Sequence, residues 1–176
     1  YQFQTLSDGG QVDAGVAAAY LAELTTLRGF FYWQLIDMYG NIPYDNDFAN
    51  ANPAPPQTAR ATVFASVVAD LETNVALLTK NVDGTTYGRM NYWAGKFLLA
   101  KLYMNAQVYT NTAQWDKAIA ACDEIINSGK YNLESNYFAN FNVNNSGSKE
   151  FIFAIPYDKI FFTGFNMNAS TLHYAS

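Results

Sequence analysis

The sequence contains a single cysteine, Cys122, and a single histidine, His173. One cysteine excludes an internal disulfide framework and a cysteine-rich zinc site, and one histidine excludes a multi-histidine metal centre. No cofactor is expected. Charge is scarce as well: Asp, Glu, Lys and Arg make up 14% of the chain, well below the usual quarter. Ten Lys and Arg against fifteen Asp and Glu leave a net charge of −5. Phosphate recognition needs clustered positive charge, so no nucleic-acid partner is expected. No apolar run of about 18 residues escapes polar interruption, so no transmembrane helix is expected either.

Rings and amides are plentiful instead. The 176 residues include 3 Trp, 13 Tyr, 13 Phe and 18 Asn. So aromatic a chain is not disordered. Its length suits one domain or a large piece of one. The chain opens at Tyr1 without an initiator Met, a signal peptide or a lipidation cysteine, and Leu172-His173-Tyr174-Ala175-Ser176 has no capping character. It therefore reads as a segment of a longer protein.

Apolar spacing predicts four helices. Over 12–39, Val12, Val16, Ala19, Tyr20, Leu24, Leu27, Phe31, Leu35 and Met38 recur every three or four residues, with Gly40 as the stop and Pro43 beyond it. Phe30-Phe31-Tyr32-Trp33 makes that helix apolar on several sides, and these rings are read as core. Four prolines and Asp45-Asn46-Asp47 make 41–57 a loop. Thr58 is the expected cap of a helix over 59–79, and Asn91 that of a third over 91–109. A fourth, over 113–128, is expected after a cap at Asn111 or Thr112. It carries the stripe Trp115, Ala118, Ile119, Cys122, Ile125 and Ile126, and Gly129 ends it. Cys122 on that stripe is read as a small core residue, not a nucleophile. Residues 130–149, rich in Asn and Ser, read as a long ordered loop, and Phe151–Ile155 before Pro156 is the best strand candidate.

The fold class read from this pattern is mainly α. Helix pairs of the tetratricopeptide kind cover 12–128, an irregular region covers 129–176, and at most a short strand is expected. In the second pair Ala100 and Ala118 are the small residues that would let the backbones approach.

Four stretches then carry a family resemblance. They are Arg28-Gly29-Phe30-Phe31-Tyr32-Trp33 running to Tyr39-Gly40-Asn41-Ile42-Pro43-Tyr44, and Pro56–Phe64 continuing to Asp70-Leu71-Glu72. Gly88-Arg89 with the helix through Ala106 and Trp115-Asp116-Lys117-Ala118 is the third, and Ser148–Asp158 the fourth. In this order they resemble the SusD/RagB family of outer-membrane glycan-binding lipoproteins. The resemblance implies a tetratricopeptide-like helical fold and non-catalytic capture of glycans or oligosaccharides at the bacterial surface. It also implies a SusC-like TonB-dependent transporter as partner. The membrane would be reached only through an N-terminal lipid anchor that this chain lacks. The rival reading is a protein-interaction scaffold that binds no sugar.

Within the sequence, Tyr157, Phe161, Phe162, Phe165, Asn166 and Asn168 are the expected glycan contacts. They offer rings and short amides off the regular helices, as sugar recognition requires. The Asn-rich loop 140–148 is of the same kind. Arg28 and Asp37 are read as anchors of loops. Asp45-Asn46-Asp47 is read as a capped turn, with an irregular calcium site as the alternative; an EF-hand is excluded, since Ala49 and Asn50 stand where it needs an oxygen ligand and Gly. Asp70/Glu72 and Asp123/Glu124 have spacings that do not place both carboxylates on one helix face, so a glycosidase pair is not expected.

Overall fold

The computed structural model describes residues 2–47, 49, 52–157 and 160. More than half of these are helical. A short α1 (Gln2–Asp8) precedes α2 (Ala14–Tyr39), whose N-terminus is capped by Asp13: its Oδ1 accepts from the amides of Gly15 at 2.9 Å and Val16 at 3.1 Å. At the far end Gly40 takes φ 73°, a conformation open to glycine, and its amide closes on the Ile36 carbonyl at 3.1 Å.

The loop after α2 is pinned at its base by a two-stranded antiparallel ladder, β1 (Ile42–Pro43) with β2 (Gln57–Thr58). α3 (Arg60–Asn74) follows and ends in a 3-10 turn, Val75–Leu77. α2 and α3 are antiparallel. Asn41 Oδ1, just past α2, accepts the Arg60 amide at 2.9 Å, while Arg28 in mid-helix bonds Asp70 near the end of α3 at 2.7 Å. α2 turns Ala17, Ala22, Thr26, Gly29 and Ile36 inward. Small residues allow the close approach: a Cβ on Gly29 would lie 3.2 Å from Leu71 Cδ2.

The second pair is α4 (Tyr92–Met104) and α6 (Trp115–Asn127), joined through a short α5 (Ala106–Thr110). Asn91 caps α4, its Oδ1 accepting the Ala94 amide at 2.9 Å. Tyr92 and Lys96 at the start of α4 both reach Glu124 at the end of α6, so this pair too is antiparallel. α3 lies against α4 and joins the two pairs of a tetratricopeptide-like array. The core runs through Val63, Phe64, Val67 and Leu71 of α3 and Leu98, Leu99 and Leu102 of α4. Ile36, Leu71 and Leu102 are fully buried, each stabilising the fold by roughly 1.5–3 kcal/mol.

Several expectations are corrected. Thr58 belongs to β2, and Ala59 precedes α3 without a side-chain cap. The helix expected over 91–109 breaks at Asn105, whose Nδ2 donates to the Lys101 carbonyl at 3.2 Å. Asn111, at φ 62°, ends α5, and Gln114 rather than Asn111 or Thr112 precedes α6. Phe151–Ile155 forms no strand. Its side chains pack on helices instead, with Ile152 against the core and the Phe153 ring 5.7 Å from that of Phe30.

The inward faces also differ. α6 buries Ala121 and Ile125 and half-buries Ala118, leaving Trp115, Ile119, Cys122 and Ile126 exposed. α2 likewise exposes Val16, Tyr20, Leu24, Phe31, Leu35 and Met38, while Phe30, Tyr32 and Trp33 pack against the core. Cys122 is a surface thiol, and Phe31 is a surface ring at 58% exposure.

Candidate functional site

Three clefts flank α4. The largest, about 810 Å³, is polar and built from loops. One wall is the turn region 82–91. Asp83 organises it by accepting the Thr85 amide at 2.8 Å and its hydroxyl at 2.5 Å, and these bonds hold its carboxyl below the usual range. The buried Asn91, besides capping α4, donates Nδ2 to the Asn81 carbonyl at 3.3 Å.

The opposite wall is made of 129–132 and 146–154. The Asn132 amide donates to the Lys149 carbonyl at 3.1 Å. Behind this bond, Glu150 accepts the Glu134 amide at 3.1 Å and Asn140 Nδ2 at 2.7 Å, and Glu134 accepts the Lys149 amide at 3.1 Å. Asn140 is buried; it takes the Ser148 hydroxyl at 2.6 Å and its carbonyl takes Asn145 Nδ2 at 2.7 Å. The Asn-rich loop thus spends Asn140 on its own architecture. Pro156 closes this wall onto Gly88, where an added Cβ would lie 3.0 Å from Pro156 Cδ and Cγ.

Tyr87, Asn132, Lys130 and Lys149 give the cleft a ring, an amide and cations, and Tyr131 also lines it. Tyr87 is 44% exposed. The Tyr131 hydroxyl is buried without a well-formed hydrogen bond, and burial pushes its ionisation up. Rings with short hydrogen-bonding groups at the mouth of a loop-built cleft suit a polyhydroxylated ligand.

The second cleft, about 560 Å³, is apolar and lies under Phe151–Ile155. Lys101 Nζ stands 5.4 Å from the Trp33 ring and 4.9 Å from that of Phe97 at its edge. The third, about 340 Å³, is a groove where Glu72 binds Tyr103 and Lys117 and Glu124 binds Tyr92 and Lys96.

Of the sequence-predicted contacts, Tyr157 is exposed, one residue beyond the Pro156–Gly88 contact. Phe161, Phe162, Phe165, Asn166 and Asn168 lie outside the described residues. Arg28 and Asp37 join helices instead of loops: Arg28 holds α3, and Asp37 accepts the Tyr109 hydroxyl at 2.5 Å. Asp45 and Asp47 accept backbone amides of the turn. Among the described residues no three His, Cys, Asp or Glu gather as metal ligands. Tyr87, Tyr131 and the two lysines escaped the sequence reading. Their usable signal was the turn at Tyr87-Gly88 and the stop at Gly129, which place both walls at helix ends.

The profile of the SusD-like family described as starch-binding and associating with the outer membrane matches residues 2–136. The chain belongs to this family. It is 26% identical over 156 residues to a SusD-like protein of Formosa agariphila, covering 88% of this chain and 27% of that protein. It is 28% identical over 144 residues to the starch-binding protein SusD of Bacteroides thetaiotaomicron, covering 79% and 25%. The surface glycan-binding protein A of Bacteroides thetaiotaomicron, solved with laminarihexaose, superposes with a TM-score of 0.70 at 27% identity over 84% of this chain and 30% of that one. The chain thus spans about a quarter of the length of these curated relatives.

Proposed function

We propose that this chain is part of a non-catalytic protein that captures glycans or oligosaccharides at the bacterial surface. Delivery would go to a SusC-like TonB-dependent transporter, from a lipid-anchored position at the outer membrane. The observation that carries the reading is the relative at 27% identity with laminarihexaose bound, aligned over 84% of this chain. Ring stacking and hydroxyl hydrogen bonds would supply the affinity. It stays modest because each polar contact replaces one made with water. The segment Tyr157–Asn168 is part of this proposed contact surface.

Calorimetry with the full-length protein and a panel of β-glucan, α-glucan and acidic oligosaccharides tests the reading. Binding to at least one is expected, weakened by Phe161→Ala with Phe165→Ala. Absence of binding across the panel by well-folded protein would overturn it.

A further inference from the structure

The polar cleft carries an uneven charge in an acidic chain. Arg89, Lys130 and Lys149 line it against one carboxylate, Asp83. Arg89 is already neutralised by Glu23, with bonds of 3.0 and 2.5 Å. Asp83 is committed to Thr85. Glu134 and Glu150 stand behind the wall, and the bonds they form accept from backbone amides and Asn140. Lys130 and Lys149 form no ion pair among the described residues. Their chain segments are fastened side by side by the Asn132–Lys149 backbone bond, and both residues line the same wall of the cleft.

We infer that this cleft selects a saccharide bearing an anionic group, a uronate or a sulfate ester, with Lys130 and Lys149 as its counter-charges and Tyr87 as the stacking ring. The inference rests on the glycan-binding reading and adds the class of sugar. Each ammonium group can donate charge-assisted hydrogen bonds to carboxylate or sulfate oxygens, and these are stronger than bonds to a neutral hydroxyl. The chain's net charge of −5 disfavours a dense polyanion, so a sparsely charged oligosaccharide is the better fit.

The test is calorimetry on the full-length protein with four probes of similar length: oligogalacturonide, a sulfated oligosaccharide, laminarihexaose and polyglutamate. Wild type is compared with Lys130→Gln/Lys149→Gln and with Tyr87→Ala. One acidic sugar should bind tighter than laminarihexaose, and the better of the two distinguishes uronate from sulfate. Its affinity should fall with added salt and drop about tenfold in the double lysine variant at unchanged melting temperature. The Tyr87 variant should weaken the same sugar. Equal binding of neutral and acidic sugars, with no effect of the lysine changes, would overturn the charge inference and leave glycan binding standing. Equal binding of polyglutamate would also overturn it, by showing attraction without sugar recognition. Failure of every sugar would sink the functional reading itself.

Discussion

The Tyr103 hydroxyl of α4 donates to Glu72 of α3 at 2.7 Å, and the same carboxylate receives Lys117 of α6 at 3.0 Å. One side chain thus touches three helices. Glu124 repeats the arrangement across the groove, held by Tyr92 and by Lys96 at 2.7 Å. The groove's two ends are therefore closed by matched carboxylate–tyrosine–lysine clusters. Their partial exposure makes them modest stabilisers, not a source of large binding energy.

Tyr103→Phe should cost about 1 kcal/mol, because the lost hydroxyl leaves Glu72 with water and Lys117 as partners. For a chain of this size that is a fall of about 2–4 °C in melting temperature. Adding Glu72→Gln to Tyr103→Phe should then cost less than the two changes separately. Strict additivity in that double-mutant cycle would show that the pair is not coupled.

Stability should form a plateau in pH bounded on both sides. The Tyr103 bond, aided by Lys117, lowers the Glu72 carboxyl against the effect of burial. For Glu124 burial opposes ionisation, but the bonds from Lys96 and Tyr92 outweigh it and the carboxyl is also lowered. A carboxyl lowered by folding contributes fully above its ordinary value of 4.5, and that contribution is lost as pH falls through the lowered folded value. The tyrosines set the other edge. Burial first, then the bonds to Glu124 and Asp37, push Tyr92 and Tyr109 up to about 12. Their contribution is complete below the ordinary 10.0 and drains away as pH rises toward 12. Thermal melts from pH 3 to 12 should show both edges, and Glu72→Gln should blunt the acid one. A melting temperature that stays constant below pH 4 would contradict the carboxylate assignment.

Gly95→Ala should destabilise although alanine normally favours a helix by about 1 kcal/mol. Its Cβ would stand 2.6 Å from Val75 Cγ2, where something must shift, so overpacking of about 1–3 kcal/mol is expected. Gly84→Ala, with nothing within 4 Å, is the control and should be near neutral. A Gly95→Ala protein that melts higher than wild type would move α4 away from the Val75 turn.

These packing details explain what the sequence could and could not reveal. The helix boundaries at Gly40, Asn91 and Gly129 were legible because these residues punctuate them chemically. Inward faces were not. On α2 apolar residues occupy nearly every side, so periodicity gives no direction. The buried positions Ala17, Ala22, Thr26 and Gly29 were chosen by closeness to α3, which large side chains would prevent. On α6 the same logic buries Ala121 and leaves Trp115 outside. The apolar run Phe151–Ile155 looked like a strand, but it had a hydrophobic cleft to cover, and among the described residues no strand lies beside it to pair with. The polar cleft was hidden for another reason: its walls are some 40–70 residues apart in sequence, and only the fold brings Tyr87 and Lys149 to one cleft.

Cys122 reports directly on the outer face of α6. It shares that exposed side with Trp115, Ile119 and Ile126, and the face is apolar enough that burial was the natural expectation from spacing alone. In the folded 176-residue chain its thiol stands at the surface, so a maleimide should label it in native buffer about as fast as in urea. Two controls separate exposure from fraying: circular dichroism must remain helical during labelling, and Cys122→Ser must abolish the signal. Labelling that is slow in native buffer and fast in urea would show the stripe covered in solution, by a second copy of the chain if protection grows with concentration. Protection independent of concentration would instead mean that α6 is rotated about its axis, with Cys122 turned toward α4. In that case Ala121, now buried at 5% exposure, would become the position that tolerates a larger side chain. Ala121→Leu is therefore the companion measurement: it should cost about 1–3 kcal/mol if α6 faces α4 as described.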